Sequence, residues 1–310
     1  MSTRILVVRL GAMGDVIHAL PAAASLKQSF PHCFLAWAIE PRWTPLLEGN
    51  PYLDEVIPVD RGSWRSLWAL RRRLRSAKFD FAVDLQGLIK SALVASAARP
   101  ERIYGYHRTQ VREKAAALIY SNPVKTLAEH VVEKNLEVAQ AAGANNPVRS
   151  FALPPGSPEG ELPASPFVLA NPAAGWVSKQ WPLDRYSELG RRLRADCGFE
   201  LVLNGMRAEG VPHTRAHSSG LAGLIDATRR AAAVVGVDSG PMHLAAALGK
   251  PGVALFGPTD PARNGPFGTS FAVLRSPRAV TSYKRRETHD PSMLEITVDE
   301  VLAALKARLS

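Results

Sequence analysis

Cysteine is almost missing from this chain of 310 residues: only Cys33 and Cys197 occur, far apart and without metal-ligand spacing. That excludes a disulfide-built scaffold and fits free thiols in a reducing cytosol. No apolar run approaches the roughly 20 residues needed to cross a bilayer. The opening MSTRILVVRL lacks the basic, apolar and cleavable parts of a secretory signal, so none is expected. Asp-x-Asp does not occur, nor does any His/Cys cluster with metal spacing, and no metal or other cofactor is expected. Aromatic residues are sparse at 7%, but the apolar total of 46% supports the cores of one large or two medium domains. Acid is in short supply too: 28 Asp and Glu face 38 Lys and Arg, for a formal charge of +10. Such an excess favours an anionic partner, whether nucleic acid, a phosphorylated metabolite or an acidic membrane surface.

What the chain does have is alternation. Apolar runs that read as strands are Ile5–Arg9, Phe34–Ile39, Glu55–Val59, Phe81–Leu85, Phe167–Asn171, Glu200–Asn204, Ala233–Val237 and Gly252–Phe256. Amphipathic stretches such as Val16–Phe30, Val131–Ala142, Leu183–Asp196 and Met242–Leu248 separate them. This βαβ rhythm predicts an α/β protein with parallel sheets and covering helices. A cluster of Pro, Gly and Ser at residues 151–166 interrupts it and reads as a linker. Two lobes are therefore expected, residues 1–155 and 156–310, with a cleft between them. The last helix, Val298–Leu309, is not assigned to a lobe by the sequence, and packing back on the first lobe is left open.

The richest segment is Arg4–Pro21, RILVVRLGAMGDVIHALP. An apolar strand runs into the glycine-bracketed turn Gly11–Gly14, and Asp15 follows at the start of a helix. That places one carboxylate at the carboxyl edge of a parallel sheet, where open α/β folds bind ligands. Asp15 reads either as a catalytic group or as a plain helix cap. A dinucleotide site is poorly served, because Gly11-Ala-Met-Gly-Asp is not G-x-G-x-x-G and only Glu40 offers the expected acid after the second strand.

The second half repeats the device. The run Ala233–Val237 leads into Asp238-Ser239-Gly240-Pro241 and a helix carrying His243 in its first turn. Proline favours such a helix start, and the free N–H groups there make an anion site suited to a diphosphate. Asp238 as a cap and His243 as a buried, satisfied side chain is the plainer alternative. After the next strand, Thr259 offers a hydroxyl to a phosphate or sugar, while Asp260 reads as closing a turn. Lys179 lies on the loop after Phe167–Asn171 and suits a phosphate; Glu209 suits ribose hydroxyls. Residues 61–78, RGSWRSLWALRRRLRSAK, hold seven basic residues and no acid. Trp64, Leu67, Trp68, Leu70 and Leu74 recur there at helical spacing. A helix lying on an anionic membrane and an ordinary surface helix with its tryptophans turned inward both fit this pattern.

Taken in order, GAMGDVIHALPA (Gly11–Ala22), DLQGLIKSAL (Asp84–Leu93), EHVVEKN (Glu129–Asn135), SKQWP (Ser178–Pro182), VDSGPMHLAAALGKP (Val237–Pro251) and FGPTDP (Phe256–Pro261) carry a resemblance over nearly the whole chain. The chain resembles glycosyltransferase family 9, the heptosyltransferases of lipopolysaccharide inner-core assembly, and most of all its heptosyltransferase I branch. The resemblance implies a GT-B fold, two Rossmann-like lobes whose parallel sheets face across a cleft. It implies an inverting, metal-independent transfer from ADP-L-glycero-D-manno-heptose to a Kdo residue of lipid A-linked core. Asp15 matches the family's general base; Lys179, Glu209, Asp238, Ser239, Gly240, His243 and Thr259 match or lie near the donor site. Gly14, Arg61, Arg112 and Lys134 fall at the acceptor side. The implied setting is the cytoplasm, peripheral on the anionic inner face of the cytoplasmic membrane, with no nucleic-acid partner. A family member using another nucleotide sugar or a heptose acceptor, and a non-catalytic nucleotide-sugar-binding protein, are the rival readings. Two positions depart from the pattern. Ala173-Ala174 replaces a Thr–Thr pair that would donate to the diphosphate, and the acidic cluster around Glu209 is thin, with Val211, Pro212 and His213 following.

Overall fold

The computed structural model describes residues 2–205 and 209–309. The chain divides into two compact units after Pro154.

In the first unit, β1 (Arg4–Val8) leads into α1 (Met13–Ser29), β2 (Phe34–Ile39), β3 (Glu55–Pro58) and α2 (Trp64–Ser76). There follow β4 (Phe81–Asp84), α3 (Ile89–Ala97), β5 (Arg102–Tyr106), β6 (Asn122–Val124) and α4 (Val131–Ala141). The sheet is parallel, in the order β3-β2-β1-β4-β5-β6. Ile5, Leu6, Val7 and Val8 are all buried, as a central strand covered on both faces requires. The order reverses beside β1, so the loop after β1 opens at the switch point. The alanine-rich α1 packs closely along α4.

The second unit contains β7 (Phe167–Asn171), α5 (Leu183–Cys197), β8 (Glu200–Asn204), β9 (Arg215–His217), α6 (Leu221–Arg230) and β10 (Ala233–Val237). It continues through α7 (Gly240–Ala247), β11 (Gly252–Phe256), α8 (Pro261–Asn264), β12 (Phe271–Arg275), α9 (Pro291–Glu295) and α10 (Val298–Leu309). Its sheet is also parallel, β12-β11-β10-β7-β8-β9, and its switch point lies between β7 and β10. Trp181 and Tyr186 anchor a core that includes Leu302 and Leu305 of α10. The Trp181 indole N–H donates to the Ile296 carbonyl at 3.0 Å. The last helix is thereby tied to the second unit.

The structure corrects several sequence readings. Strands β5, β6, β9 and β12 were not expected. The last three lie at sheet edges; β6 and β9 have only three residues each, β12 is an apolar run that was passed over, and β5 contains a glycine that reads as a turn. Gly105 is there because an added Cβ would meet the Tyr120 ring at 2.5 Å. Helix α1 begins at Met13, so Gly14 belongs to its first turn rather than to the loop before it, and Asp15 lies in that same turn. Residues 151–166 contain no helix or strand, but they are held: Glu159 accepts the Gly220 N–H at 2.7 Å, and Gly156 packs against the backbone of α6. In α2 only Leu70 and Leu74 are buried, while Trp64, Leu67 and Trp68 face solvent. The inward-turned tryptophans of the plainer reading do not occur.

Gly105→Ala is expected to cost about 1–3 kcal/mol by displacing the Tyr120 ring, measured as the shift of the first unit's transition in urea.

Candidate active site

In the first unit, β1 ends at Val8 and the chain emerges with Arg9, buried beneath the edge. Its Nη2 lies 2.8 Å from Asp15 Oδ1, and its Nη1 donates to the Leu85 carbonyl after β4. Asp15 Oδ2 accepts the Ala12 N–H at 3.3 Å. The carboxylate is thus cap and ion-pair partner at once, one-third exposed, and the weakly engaged Oδ2 keeps a lone pair for an incoming proton. Gly11 is required beside it: a Cβ there would lie 2.6 Å from Trp43 Nε1. Sequence reasoning passed over Arg9. Its signal was a charged residue directly after the apolar run Ile5–Val8.

Next to this loop, the ends of β2 and β3 build a cavity of about 750 Å³ around Glu40. Arg61 reaches Glu40 Oε1 at 2.8 Å, Lys90 the same oxygen at 3.2 Å, and Arg42 reaches Oε2 at 3.0 Å. Partial burial pushes the Glu40 pKa up, but Lys90 and Arg42 outweigh it and hold the carboxyl below its usual range. Asp60 also lines the cavity, so three cations meet two carboxylates. Among the expected acceptor residues, Arg61 sits in this cluster. Gly14 is buried, Arg112 is exposed on the loop before Glu113, and Lys134 is half-buried in the first turn of α4. Behind the edge, buried Asp84 accepts hydrogen bonds from Ser91, Tyr120 and the Gln86 N–H at 2.7–2.8 Å. It holds the β4 loop in shape.

In the second unit, the loop after β10 carries Asp238, and Ser239 rather than Asp238 occupies the N-cap position of α7, without a capping hydrogen bond from its side chain. Asp238 is buried, with Oδ2 2.6 Å from Lys179 Nζ and Oδ1 3.6 Å from His243 Nε2. Burial alone would raise the Asp238 pKa. The His243 hydrogen bond and the Lys179 charge overcome that and hold the carboxyl far below its ordinary range. Lys179 also lies 4.6 Å from the Trp176 ring centroid, and Arg285 lies over the same ring. The hydroxyls of Ser178, Ser239 and Thr259 are buried and meet no partner. They come from the loops after β7, β10 and β11, which open at one sheet edge. Buried polar groups are nearly always satisfied, so orphaned hydroxyls beside a helix N-terminus mark a place for ligand oxygens. Gly240 opens α7 there, with its first N–H groups free of helical partners.

Lys179, Asp238, Ser239, Gly240 and His243 are therefore brought together, and Thr259 shares their edge. Glu209 is exposed on the turn after β8, two strands away from β10. Asp260 closes a turn as expected, accepting the Ala262 N–H at 3.0 Å. Ala173 lines an apolar cavity of about 180 Å³ with Val177, Trp181 and His289. Among the described residues, no three His, Cys, Asp or Glu side chains are grouped to hold a metal ion.

Residues 67–293 match the model of glycosyltransferase family 9 (heptosyltransferase). The chain is 30% identical to lipopolysaccharide heptosyltransferase 1 of Pseudomonas aeruginosa over 298 residues, covering 88% of this chain and 84% of that one. It is 29% identical to lipopolysaccharide heptosyltransferase 2 of Escherichia coli K12, covering 99% and 98%. Among solved structures it is similar to the E. coli heptosyltransferase WaaC with ADP-2-deoxy-2-fluoro heptose, with a TM-score of 0.77 and 25% identity over 98% of this chain and 99% of that one. The likeness extends over nearly the whole of both chains, and the two parallel six-stranded sheets of this chain are an α/β architecture of the GT-B class.

Two outcomes are expected from this geometry. Thr259→Val, which removes an unpaired hydroxyl at nearly constant shape, should leave the melting temperature unchanged or raised, while weakening the thermal shift produced by inorganic pyrophosphate. Because the Asp238 pKa is depressed, its contribution to stability is present above the unfolded value and lost as pH falls through the folded one. The stability gap between wild type and Asp238→Asn should hold between neutral and mildly acid pH and shrink only below about pH 4, as read by denaturant titrations across that range.

Proposed function

The chain belongs to glycosyltransferase family 9, and on that premise we propose that it is an inverting transferase carrying heptose from ADP-L-glycero-D-manno-heptose to a Kdo residue of the lipopolysaccharide inner core. The relatives place it among the heptosyltransferases of lipopolysaccharide core synthesis. The donor, acceptor and stereochemistry are the finer reading. The observation that carries it is the cluster at the start of α7: Lys179, the α7 N–H groups and three unpartnered hydroxyls around one sheet edge. That set suits a diphosphate, and an E. coli relative is known with an ADP-heptose analogue bound.

In this proposal the second unit holds the donor and the first holds the acceptor. As the acceptor oxygen attacks the anomeric carbon, Asp15 Oδ2 takes its proton, and ADP departs from the opposite face with inversion. A sugar hydroxyl is a very weak acid, so proton transfer advances together with C–O bond formation. Arg9 keeps Oδ1 fixed throughout and leaves Oδ2 to the substrate. The charge that develops on the leaving diphosphate is met by Lys179 and the α7 N-terminus, in the role a metal ion plays in Asp-x-Asp enzymes. Lys179 is held by Asp238 in the free protein and gains the diphosphate as a second anion. Glu209 is the candidate for the ribose hydroxyls.

The acceptor choice is supported by the Glu40 cavity, where Arg42, Arg61 and Lys90 outnumber Glu40 and Asp60. An excess cation suits a carboxylate-bearing sugar such as Kdo better than an uncharged heptose hydroxyl face. Arg112 and Lys134 add positive charge to the same unit, with Gly14 beside the base. A cytoplasmic enzyme peripheral to the anionic membrane leaflet is the setting that matches such an acceptor. A purely donor-binding protein is the weaker reading, since it has no use for a carboxylate oriented by a buried arginine.

Asp15→Asn should lower turnover about 100- to 10,000-fold while donor affinity is kept, as followed by ADP release and by calorimetric donor titration. Near-native turnover in that variant would remove Asp15 as the base. A donor screen in which a UDP or GDP sugar raises the melting temperature more than ADP-heptose would redirect the donor assignment.

A further inference from the structure

Helix α2 packs against α3, and α3 against the 3-10 turn Lys114–Leu118, all in the first unit. The side of this layer that packs inward is ordinary: Leu70, Leu74, Ala92 and Ala95 are buried. Its outer side is not. Trp64 is 74% exposed, Trp68 61%, Leu93 57% and Leu118 82%. Leu67 and Ile89 are exposed as well. On α2 the outward positions 64, 67, 68, 71, 72 and 75 follow helical spacing, so Trp64, Leu67 and Trp68 share one face with Arg71, Arg72 and Arg75. Arg65 lies over the Trp64 ring at 5.5 Å and Arg72 over the Trp68 ring at 5.3 Å.

The cations of this face are unneutralised. Among the described residues, Arg65, Arg71, Arg72 and Arg75 have no carboxylate within salt-bridge distance, whereas Arg73, on another side of α2, is paired with Glu55. Desolvation and the neighbouring Arg71 and Arg99 charges push the Arg75 pKa down. A cluster of guanidinium groups that crowd one another calls for an anion from outside.

We propose that the outer face of α2 and α3, extended by Leu118, docks on an anionic lipid bilayer and seats Trp64 and Trp68 at headgroup depth. The occupant follows from the mixture of side chains. The centre of a protein–protein interface is depleted of charge, but here arginines alternate with the apolar groups along the same face. The headgroup layer accommodates both, since indole rings settle at that level and guanidinium groups reach phosphate. A second copy of the chain would bring an equal positive charge against this one. Helix α2 starts just after Arg61, and α3 carries Lys90, so the docked face borders the Glu40 cavity. A bilayer bound there lies beside the mouth of that cavity. The inference stands on the surface alone, whatever the transferred sugar.

The test is cosedimentation of the full chain, without substrates, with vesicles of phosphatidylcholine alone or mixed with about 30% phosphatidylglycerol. Salt-sensitive binding to the anionic vesicles only is expected. Replacing three charges in R65Q/R71Q/R72Q should weaken it about 100-fold, from about 1 kcal/mol per charge near the surface. W64S/W68S should weaken binding too, and quenching of tryptophan fluorescence by bromine-labelled lipid chains should fall in W64F/W68F. All three variants should keep the wild-type melting temperature and the wild-type turnover on a soluble acceptor. Equal binding to uncharged vesicles, undiminished binding by the variants, or tryptophan-dependent self-association without lipid would overturn the proposal. Salt-sensitive binding of the wild-type chain to anionic vesicles, together with no heptose transfer by that same chain, would count against the transferase reading and support this one.

Discussion

In both units every strand runs the same way, and that one constraint organises the rest of the protein. A parallel ladder needs its backbone groups paired strand to strand and its faces covered by helices. The inner strands β1, β10 and β11 accordingly contain buried residues almost throughout. Polar side chains are excluded until the ladder ends, and all the ladders end at the same edge. Arg9, Glu40, Asp60 and Asp84 appear there in the first unit. Lys179, Asp238 and Thr259 appear there in the second. The chemistry is gathered because the sheet has no other place for it.

The two edges use one device with different electrostatics. Each has a carboxylate near the start of the helix that follows a central strand, and each carboxylate is held by a cation from the protein. In the first unit Arg9 is buried and Asp15 is partly open, so the exposed group is the anion. In the second, Asp238 is buried between Lys179 and His243, so the more exposed partner of the ion pair is the cation. A partly open carboxylate and a lysine-flanked helix start thus arise from similar sequence segments. The difference is which partner of the ion pair is covered, since a buried charge survives only with its counter-charge and hydrogen bonds in place. Removing Asp238 would leave Lys179 without its anchor, and removing Arg9 would free Asp15 to turn.

The outer layer of the first unit obeys a separate rule. Helix α2 has enough apolar surface for two contacts, one with the interior of its own unit, where Leu70 and Leu74 are buried, and one left over. The leftover is not a random scatter of surface apolar groups, which any protein carries. It combines two largely exposed indoles with unpaired arginines on one helical face.

Much of this was legible before folding. The apolar runs marked the eight strands with the strongest core signal, and the glycine and proline punctuation marked both edge loops. The resemblance carried the order of the motifs. The chain by itself determined which segments are strands and which residues can hold charge at their ends, because both follow from local composition. Tertiary structure alone decided the partners. It brought Lys179 to Asp238 across 59 positions of sequence and set Arg61 and Lys90 on one Glu40 oxygen. It also sent Leu70 inward while Trp64 and Trp68 turned out. Periodicity places side chains on a helix face, but only the neighbouring helix determines how much of that face is covered.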